Sequence, residues 1–436
     1  VLSKYEAGDA SYAELTNAFK QVVASVNVAR GGFSEAGRML EFSKVVDGWN
    51  INTLDTAIKA GTALKSNLKG RKKFYAEMAK YGIQIQNAGS AGIGMINELF
   101  INSILSGFKT HAVNVGSNTY TMLTMPMEKA IGAAIKGNRT DMMKALRMYQ
   151  GFAYGSLASA KGAFGALKSG QTKLDADYSI MEDGKMVKEG YIPLWAGGGI
   201  IRAPTRLLAA EDEFFKQINF RAFVYSEAVT AGRALIKRGE INPLTDAPYT
   251  KADLAKYVDD EVEKAVNIQM DQAMNGTRSD DVLAPTADEA IQYGRTATFT
   301  QGLDGKVSQG ISKAVTDFPI LRQINPFVRT PLNLLSYTIQ RAGPLALLSG
   351  RWRRDLFAGG TRQGEAITRA SVGGGLAYYF YNLAVEDKIT GSGEQLTTDQ
   401  LKGLQDIAGY DRNSVITEDG YANVQRLSPA LDLMTI

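Results

Sequence analysis

The chain has no cysteine and only one histidine among its 436 residues. The lack of cysteine excludes disulfides, thiolate nucleophiles and cysteine-ligated metal sites. A cluster of histidine ligands is equally impossible, and a Ser-His-Asp triad would have to use His111. Because no G-x-S-x-G motif occurs anywhere in the chain, we interpret His111 as a structural residue.

The sequence also lacks long apolar runs and a strong charge of either sign. No stretch reaches about 18 uninterrupted apolar residues, so the sequence does not predict a constitutive membrane span. The 49 basic and 45 acidic residues leave a net charge of +4, so any argument for nucleic acid or an anionic membrane has to be local.

No arrangement of residues in the sequence indicates catalysis. A P-loop is not supported, since Gly305-Lys306 is followed by Val307 instead of Ser or Thr. The carboxylates at 211–213 fall on a predicted helix among basic residues, which favours a solvated helix face. We therefore predict no enzymatic activity, no cofactor and no metal for this part of the protein.

Helical spacing of apolar residues predominates along the chain. We predict a mainly α fold: an extended multi-helix bundle with glycine hinges and two small β-hairpins, at about 178–192 and 413–427. We divide the chain into an N-terminal helical region (1–90), an apolar helical region (91–168), a hairpin with a glycine-rich linker (169–200), a second helical region (201–278), a linker (279–303), and a C-terminal region with basic and glycine/aromatic helices and the terminal hairpin (304–436).

The apolar segment 91–136 allows two interpretations. Asparagines interrupt it, so one reading is a helix buried among helices whose amides link it to its neighbours. The other is a segment that enters a membrane only after a rearrangement, within an oligomer. In the next predicted helix, Gly151, Gly155 and Ser159 recur every four residues, a spacing that lets two helix backbones approach closely.

A cluster of arginines is the strongest local charge signal. Residues 318–370 contain eight arginines and two acidic residues. Arginine suits contact with phosphate, so this cluster is a candidate for binding DNA or lipid head groups. Pairing of the arginines with carboxylates or carbonyls at a subunit interface is an equally good alternative. The candidate contact residues are Arg351, Trp352, Arg353, Arg354, Arg362 and Arg369.

Three short stretches give the chain a resemblance to a known family. They are the Pro-Phe-Val-Arg-Thr-Pro-Leu-Asn run at 326–333, the Ile-Thr-Gly-Ser-Gly turn at 389–393, and a tail with the pattern Tyr…Arg-Leu-Ser-Pro at 421–429. In this order they resemble the large internal virion proteins, or ejection proteins, of short-tailed bacteriophages. The residues that carry the likeness, which we take as structural, are Pro326, Phe327, Arg329, Thr330, Pro331, Asn333, Gly391, Gly393, Tyr421, Arg426 and Pro429.

The resemblance implies a protein stored in the capsid core near the portal and expelled at infection. It would then oligomerise in the host periplasm and inner membrane as part of a conduit for genome delivery. The implied partners are further copies of itself, other ejection proteins, portal or tail proteins, phage genomic DNA and, as an open question, the host inner membrane. The chain begins with Val1, and we expect it to be a segment of a longer polypeptide.

Two other functions stay open from the sequence. The segment is either an accessory region of a virion-packaged enzyme, an RNA polymerase or a murein transglycosylase, or a purely structural scaffold of the capsid core. Because it carries no catalytic motif of its own, the enzyme alternative assigns the chemistry to other parts of the parent chain.

Overall fold

The computed structural model of the protein describes residues 102, 105–175, 198–276, 279–302, 329–390, 400, 403–406, 409–410, 414–417 and 420–423. These residues form a mainly α, multi-helix structure, which confirms the predicted fold class. The predicted N-terminal helical region and the predicted hairpin at 178–192 lie outside the described residues.

The helices and strands follow one another in a simple order. The helices are α1 (Phe108–Ile135), α2 (Arg139–Ser169), the single turn α3 (Gly198–Ile201), α4 (Ala203–Arg238), α5 (Asp253–Asn275), α6 (Ala284–Ala297), α7 (Arg329–Ile339), a 3-10 helix (Gly343–Leu348), α8 (Gly350–Phe357) and α9 (Gly360–Val385). The strands are β1 (Ile241–Asn242), β2 (Ala247–Pro248), β3 (Ser414–Thr417) and β4 (Gly420–Asn423).

Helix α4 is the central element, and its most extensive partner is α2. The two backbones meet closely because α2 has small residues at the crossing, as its four-residue spacing predicts. A Cβ atom added at Gly151 would lie 2.6 Å from the Cα of Ala222 on α4. One turn further along, Gly155 faces the Cβ of Arg221, and Ser159 is fully buried.

The main hydrophobic core lies where α2, α4, α5 and α6 meet. Helix α4 contributes its aromatic side chains, among them the fully buried Phe220. Helix α5 adds Val258, Val262 and Val266 at the four-residue spacing of one helix face. Burial of these side chains is the dominant favourable contribution to the stability of the bundle.

The linker predicted at 279–303 is wrong over most of its length. The structure has α6 there, and its alanines at 284, 287, 290 and 297 are all buried in the interior. Alanine buries little apolar surface, so the segment has a weak hydrophobic pattern. It can nevertheless lie deep in the fold because small side chains let α6 approach α4 closely, as Gly294 does beside the backbone of Lys216.

Helices α1 and α9 cross through a pair of glycines. A Cβ atom added at Gly132 would lie 2.5 Å from the backbone nitrogen of Glu365, and one added at Gly364 would collide with the carbonyl of Gly132. Further along α9, a Cβ at Gly373 would collide with the carbonyl oxygen of Arg341. Gly364 and Gly373 of α9 therefore serve close packing, whereas a Cβ atom added at Gly375 would meet no neighbouring atom.

The terminal hairpin predicted at 413–427 is confirmed for its described part. Strands β3 and β4 pair in antiparallel fashion, with Ser414 opposite Asn423 and Thr417 opposite Gly420. A second strand pair, β1 with β2, follows the end of α4 and was not predicted from the sequence. Each of its strands has only two residues, which is too short for an alternating pattern.

Candidate interaction surfaces

Two of the candidate contact residues point into the protein. The indole nitrogen of Trp352 donates a hydrogen bond to the carbonyl of Ala366 over 2.7 Å, and the Trp352 side chain is buried. Arg369 donates to Asp355 over 2.8 Å and to the side-chain oxygen of Gln340 over 2.7 Å. These two side chains fasten α8 and the end of α7 to α9.

The other candidates lie nearer the solvent. Arg362 pairs with Asp355 over 2.9 Å, yet 69% of its side chain is exposed. Arg353 and Arg354 are exposed on α8, and Arg351 is half-buried. The structure thus separates the predicted cluster into an inner part, Trp352 and Arg369, and an outer part that consists of Arg362 on α9 and the arginines of α8. Contact of the outer arginines with DNA or lipid stays a prediction.

The exposed surface of α8 and of the preceding 3-10 helix combines these arginines with large apolar side chains. Phe357 is 82% exposed and lies one helical turn after Arg353 and Arg354. In the 3-10 helix Leu345, Leu347 and Leu348 are also exposed. We call this surface, formed by Leu345, Leu347, Leu348, Arg353, Arg354 and Phe357, the α8 face.

A second surface of interest runs along α1 and carries no charge. The exposed residues between 112 and 135 are all small or apolar: Ala112, Val115, Gly116, Leu123, Met127, Ile131, Ala134 and Ile135. At 1.5 Å per residue this surface, the α1 face, is roughly 35 Å long. The solvent-facing side of a helix is ordinarily rich in charged residues. The lack of charge on the α1 face is therefore unusual for a surface that is exposed to water.

Glu128 and Lys129, the acidic and basic residues of α1 between 112 and 135, are turned inward instead. Glu128 accepts hydrogen bonds from Arg341, and both side chains are 7% exposed. Lys129 lies over the rings of Phe223 and Tyr293, at 5.0 and 5.3 Å from the ring centres. Between 112 and 135 the charged groups of α1 are thus used inside the bundle, while the apolar side chains of the α1 face remain exposed.

One asparagine of α1 links the helix to a neighbour in the way that the buried-helix interpretation predicts. Asn114 donates to Glu211 of α4 over 2.8 Å, and Nδ1 of His111 lies 2.8 Å from the other oxygen of the same carboxylate. Burial raises the pKa of Glu211, although Asn114 and His111 act against that shift. His111 therefore has a structural setting, in agreement with the sequence interpretation.

The carboxylates at 211–213 are not on a solvated face, so that prediction is wrong. Asp212 and Glu213 are buried, together with Lys216 one turn further along α4. Nζ of Lys216 lies 2.7 Å from Asp212 and 2.8 Å from Asp175, whose other carboxylate oxygen lies 2.7 Å from Nη2 of Arg295. The sequence contains only the Asp212–Lys216 spacing as a signal, because Asp175 and Arg295 are distant in the chain.

This buried cluster alters the titration of its members. Burial raises the pKa of Asp212 to about 6, although Lys216 acts against the shift. For Lys216 burial favours the neutral amine, but Asp212 and Asp175 outweigh it and its pKa is raised. Opposite charges thus compensate one another within the core, as a structural role requires.

The residues that carry the family resemblance are only partly described. Arg329, Thr330 and Pro331 open α7, and Asn333 lies on its buried side. The amide of Asn333 donates to the carbonyls of Phe299 and Gln301 over 2.9 and 2.8 Å. Tyr421 belongs to β4, and its ring lies 5.7 Å from that of Tyr410. Pro326, Phe327, Gly391, Gly393, Arg426 and Pro429 lie outside the described residues.

Within the described part of the chain, neither a metal site nor a membrane span is found. No three acidic or histidine side chains there are grouped so as to hold a metal ion. None of the described helices has the length and apolar character needed to cross a bilayer. Comparisons of the chain with known protein families, curated proteins and solved structures find no match.

Proposed function

We propose that the protein is an internal virion protein of a short-tailed bacteriophage, which is ejected at infection and oligomerises as part of a conduit for the genome. The resemblance at 326–333, 389–393 and 421–429 supports the phage assignment. The observation that supports oligomerisation is the α1 face, an exposed helix surface without a single charged residue over 112–135.

A second copy of the chain is the occupant that suits the α1 face. Leu123, Met127, Ile131 and Ile135 follow one another at intervals of four residues and form a ridge along the helix. Two ridges of this kind interdigitate when their helices cross at about −50°, so the ridge is complementary to a copy of itself. Contact between copies would remove these side chains from water, which favours association.

The experiment compares the wild-type chain with a variant that places charges on the ridge. In Leu123→Glu/Ile131→Glu, we expect assembly to be lost because association would bury two unpaired carboxylates. Leu157→Glu is the matched control, since Leu157 is exposed on α2 and lies outside the α1 face. Sedimentation velocity, with anionic vesicles and duplex DNA present, measures the oligomeric state.

Two outcomes would contradict the proposal. If the wild-type chain stays monomeric with vesicles and DNA present, the part of the proposal that makes it a component of a conduit is wrong. Cross-linking during infection that recovers only capsid and portal neighbours would instead favour the capsid-core scaffold.

A further inference from the structure

The side of α2 that faces away from α4 exposes large apolar side chains to water. Gly151 and Gly155 mark the side that packs on α4. On the opposite side of the helix, Leu157 is 67% exposed and Phe164 is 68% exposed. Large apolar side chains with this exposure, two helical turns apart, indicate a surface that another molecule covers.

Six exposed residues on this side follow the spacing of a coiled-coil contact. They recur at alternating intervals of three and four residues, which places them on one side of an α-helix. Because α2 is a single unbroken helix over this range, the six residues share one surface. We call this surface the α2 seam; it is roughly 26 Å long at 1.5 Å per residue. Its residues are Gln150, Ala153, Leu157, Ala160, Phe164 and Leu167.

The α2 seam alternates small and large side chains. Leu157 and Phe164 project from it, and Ala153 and Ala160 leave shallow positions beside them. A facing helix can place its own large side chains over the alanines and receive Leu157 and Phe164 between them, as in knobs-into-holes packing. A bilayer does not require this alternation, and it would leave the amide of Gln150 without a hydrogen-bond partner. The shape of the seam therefore suits a helix better than a membrane.

The charge beside the seam is positive. Lys161 and Lys168 are exposed and lie seven residues apart along one edge of the seam. Neither has an ion-pair partner among the described residues. Asp259 of α5 reaches this edge two turns before Lys161, where it accepts a hydrogen bond from Tyr154 over 2.8 Å. Since α2 has no acidic residue between 142 and 169, the seam of a second copy offers these lysines no carboxylate in either orientation.

We infer that the α2 seam binds an amphipathic α-helix of a different protein, with carboxylates along the flank that meets Lys161 and Lys168. Contact removes Leu157 and Phe164 from water, which favours association. Acidic residues at seven-residue intervals pair with the two lysines, as charged residues do at the flanking positions of coiled coils. Helix α2 is already held by α4, so only the partner has to become ordered on binding.

This inference goes beyond the proposed function, which assigns the α1 face to a second copy of the chain. The two surfaces lie on different helices and are changed by different substitutions. If the α2 seam binds no helix, self-assembly through α1 is unaffected. If the chain does not assemble through α1, binding of a helix to the seam is still expected.

The test measures binding of the full chain to two synthetic helical peptides by fluorescence anisotropy. Both peptides carry leucines at coiled-coil spacing over three heptads; one has glutamates on its flanks, and the other has lysines at the same positions. The wild-type chain should bind the glutamate peptide about tenfold or more tightly than the lysine peptide. Added salt should weaken this preference, because it screens the pairing of the exposed charges.

Two variants separate the apolar contribution from the charge. Leu157→Ser/Phe164→Ser should weaken binding of the glutamate peptide by about tenfold or more, since it removes both projecting side chains. Lys161→Glu/Lys168→Glu should reverse the preference, so that the lysine peptide binds more tightly. Leu348→Ser, at a similarly exposed leucine of the 3-10 helix, is the control and should bind like the wild type. The substituted side chains are all exposed, so circular dichroism melts should be unchanged.

Three results would overturn the inference. Equal binding of the two peptides by the wild type would show that the lysines do not select the partner. A lower oligomeric state of Leu157→Ser/Phe164→Ser, measured by sedimentation of the chain alone, would identify a second copy as the occupant. Flotation of the wild type, but not of that variant, with anionic vesicles in the absence of peptide binding would identify a membrane surface instead.

Discussion

Arg341 and Glu128 are paired in the interior although 213 residues separate them in the chain. Nε of Arg341 donates to one carboxylate oxygen over 2.8 Å, and Nη2 donates to the other. The guanidinium also lies 3.3 Å from the centre of the Tyr337 ring. The pair links α1 to the end of α7. Substitutions of the pair therefore test how these two helices are held together.

Substitution of one partner of this pair should destabilise the protein more than substitution of both. Arg341→Met leaves the carboxylate of Glu128 buried without its partner, so we expect a loss of about 3 kcal/mol in the free energy of unfolding. The double variant Glu128→Leu/Arg341→Met should recover most of that loss. Urea denaturation measures both, with Arg353→Met on the surface as the control. A double variant less stable than Arg341→Met would contradict the prediction.

The glycine crossing between α1 and α9 predicts opposite effects for two substitutions in the same helix. Gly364→Ala introduces a methyl group that collides with the carbonyl of Gly132, so it should destabilise the protein by about 1 to 3 kcal/mol or more. Gly375→Ala adds a methyl group in open space and should stabilise α9 by about 0.5 to 1 kcal/mol. Thermal melting of both variants checks this, and equal shifts would be inconsistent with the crossing.

The buried Asp212 predicts a pH dependence of stability. Its pKa is raised to about 6 from an unfolded value of 3.8, so the folded state holds the proton more tightly than the unfolded state does. The contribution of Asp212 is therefore complete below about pH 4 and is lost as the pH rises through about 6. The loss is roughly 1.4 kcal/mol for each pH unit that separates the folded and unfolded pKa values. Asp212→Asn removes this titration.

The measurement is the free energy of unfolding of both proteins between about pH 4 and pH 7, the range over which Asp212 gives up its proton. Relative to Asp212→Asn, the wild type should lose stability as the pH rises over this range. Asp260→Asn, on an exposed position of α5, is the control and should leave the difference unchanged. Parallel curves for the wild type and Asp212→Asn would show that Asp212 titrates normally.

Asn333 should be essential for holding the segment after α6 against α7. Asn333→Ala leaves the carbonyls of Phe299 and Gln301 without their donor, which we expect to cost about 2 kcal/mol. Asn382→Ala, at a half-buried asparagine of α9, should change the stability by less than about 1 kcal/mol. Urea denaturation of the two variants distinguishes them, and a neutral Asn333→Ala would remove the structural role of this motif residue.

Much of the fold could be predicted because the sequence marks it locally. Pro204 near the start of α4 and Gly239 directly after its end limit the helix to about the residues that the structure shows. Gly151, Gly155 and Ser159 indicate a close helix contact in the same local way. The α6 helix was not predicted because its buried face consists of alanines, and their low hydrophobicity resembles that of a loop.

The candidate surfaces could be predicted only in part. Counting charges finds the arginines of α8 and α9 but does not show which of them have partners within the chain. Trp352 and Arg369 are drawn inward by Ala366 and Asp355, and both contacts depend on how α8 folds back on α9. The α1 face could not be predicted either, because the sequence of a helix does not show whether its charged side or its apolar side faces the solvent.

The position of Lys216 also determines the order in which the bundle can assemble. Its ammonium group belongs to α4, but its partner Asp175 follows α2, and Asp175 in turn binds Arg295 of α6. Burying Lys216 before these carboxylates arrive would cost several kcal/mol. Helices α2, α4 and α6 should therefore close together in one cooperative step, and amide hydrogens in all three should exchange with solvent at similar rates.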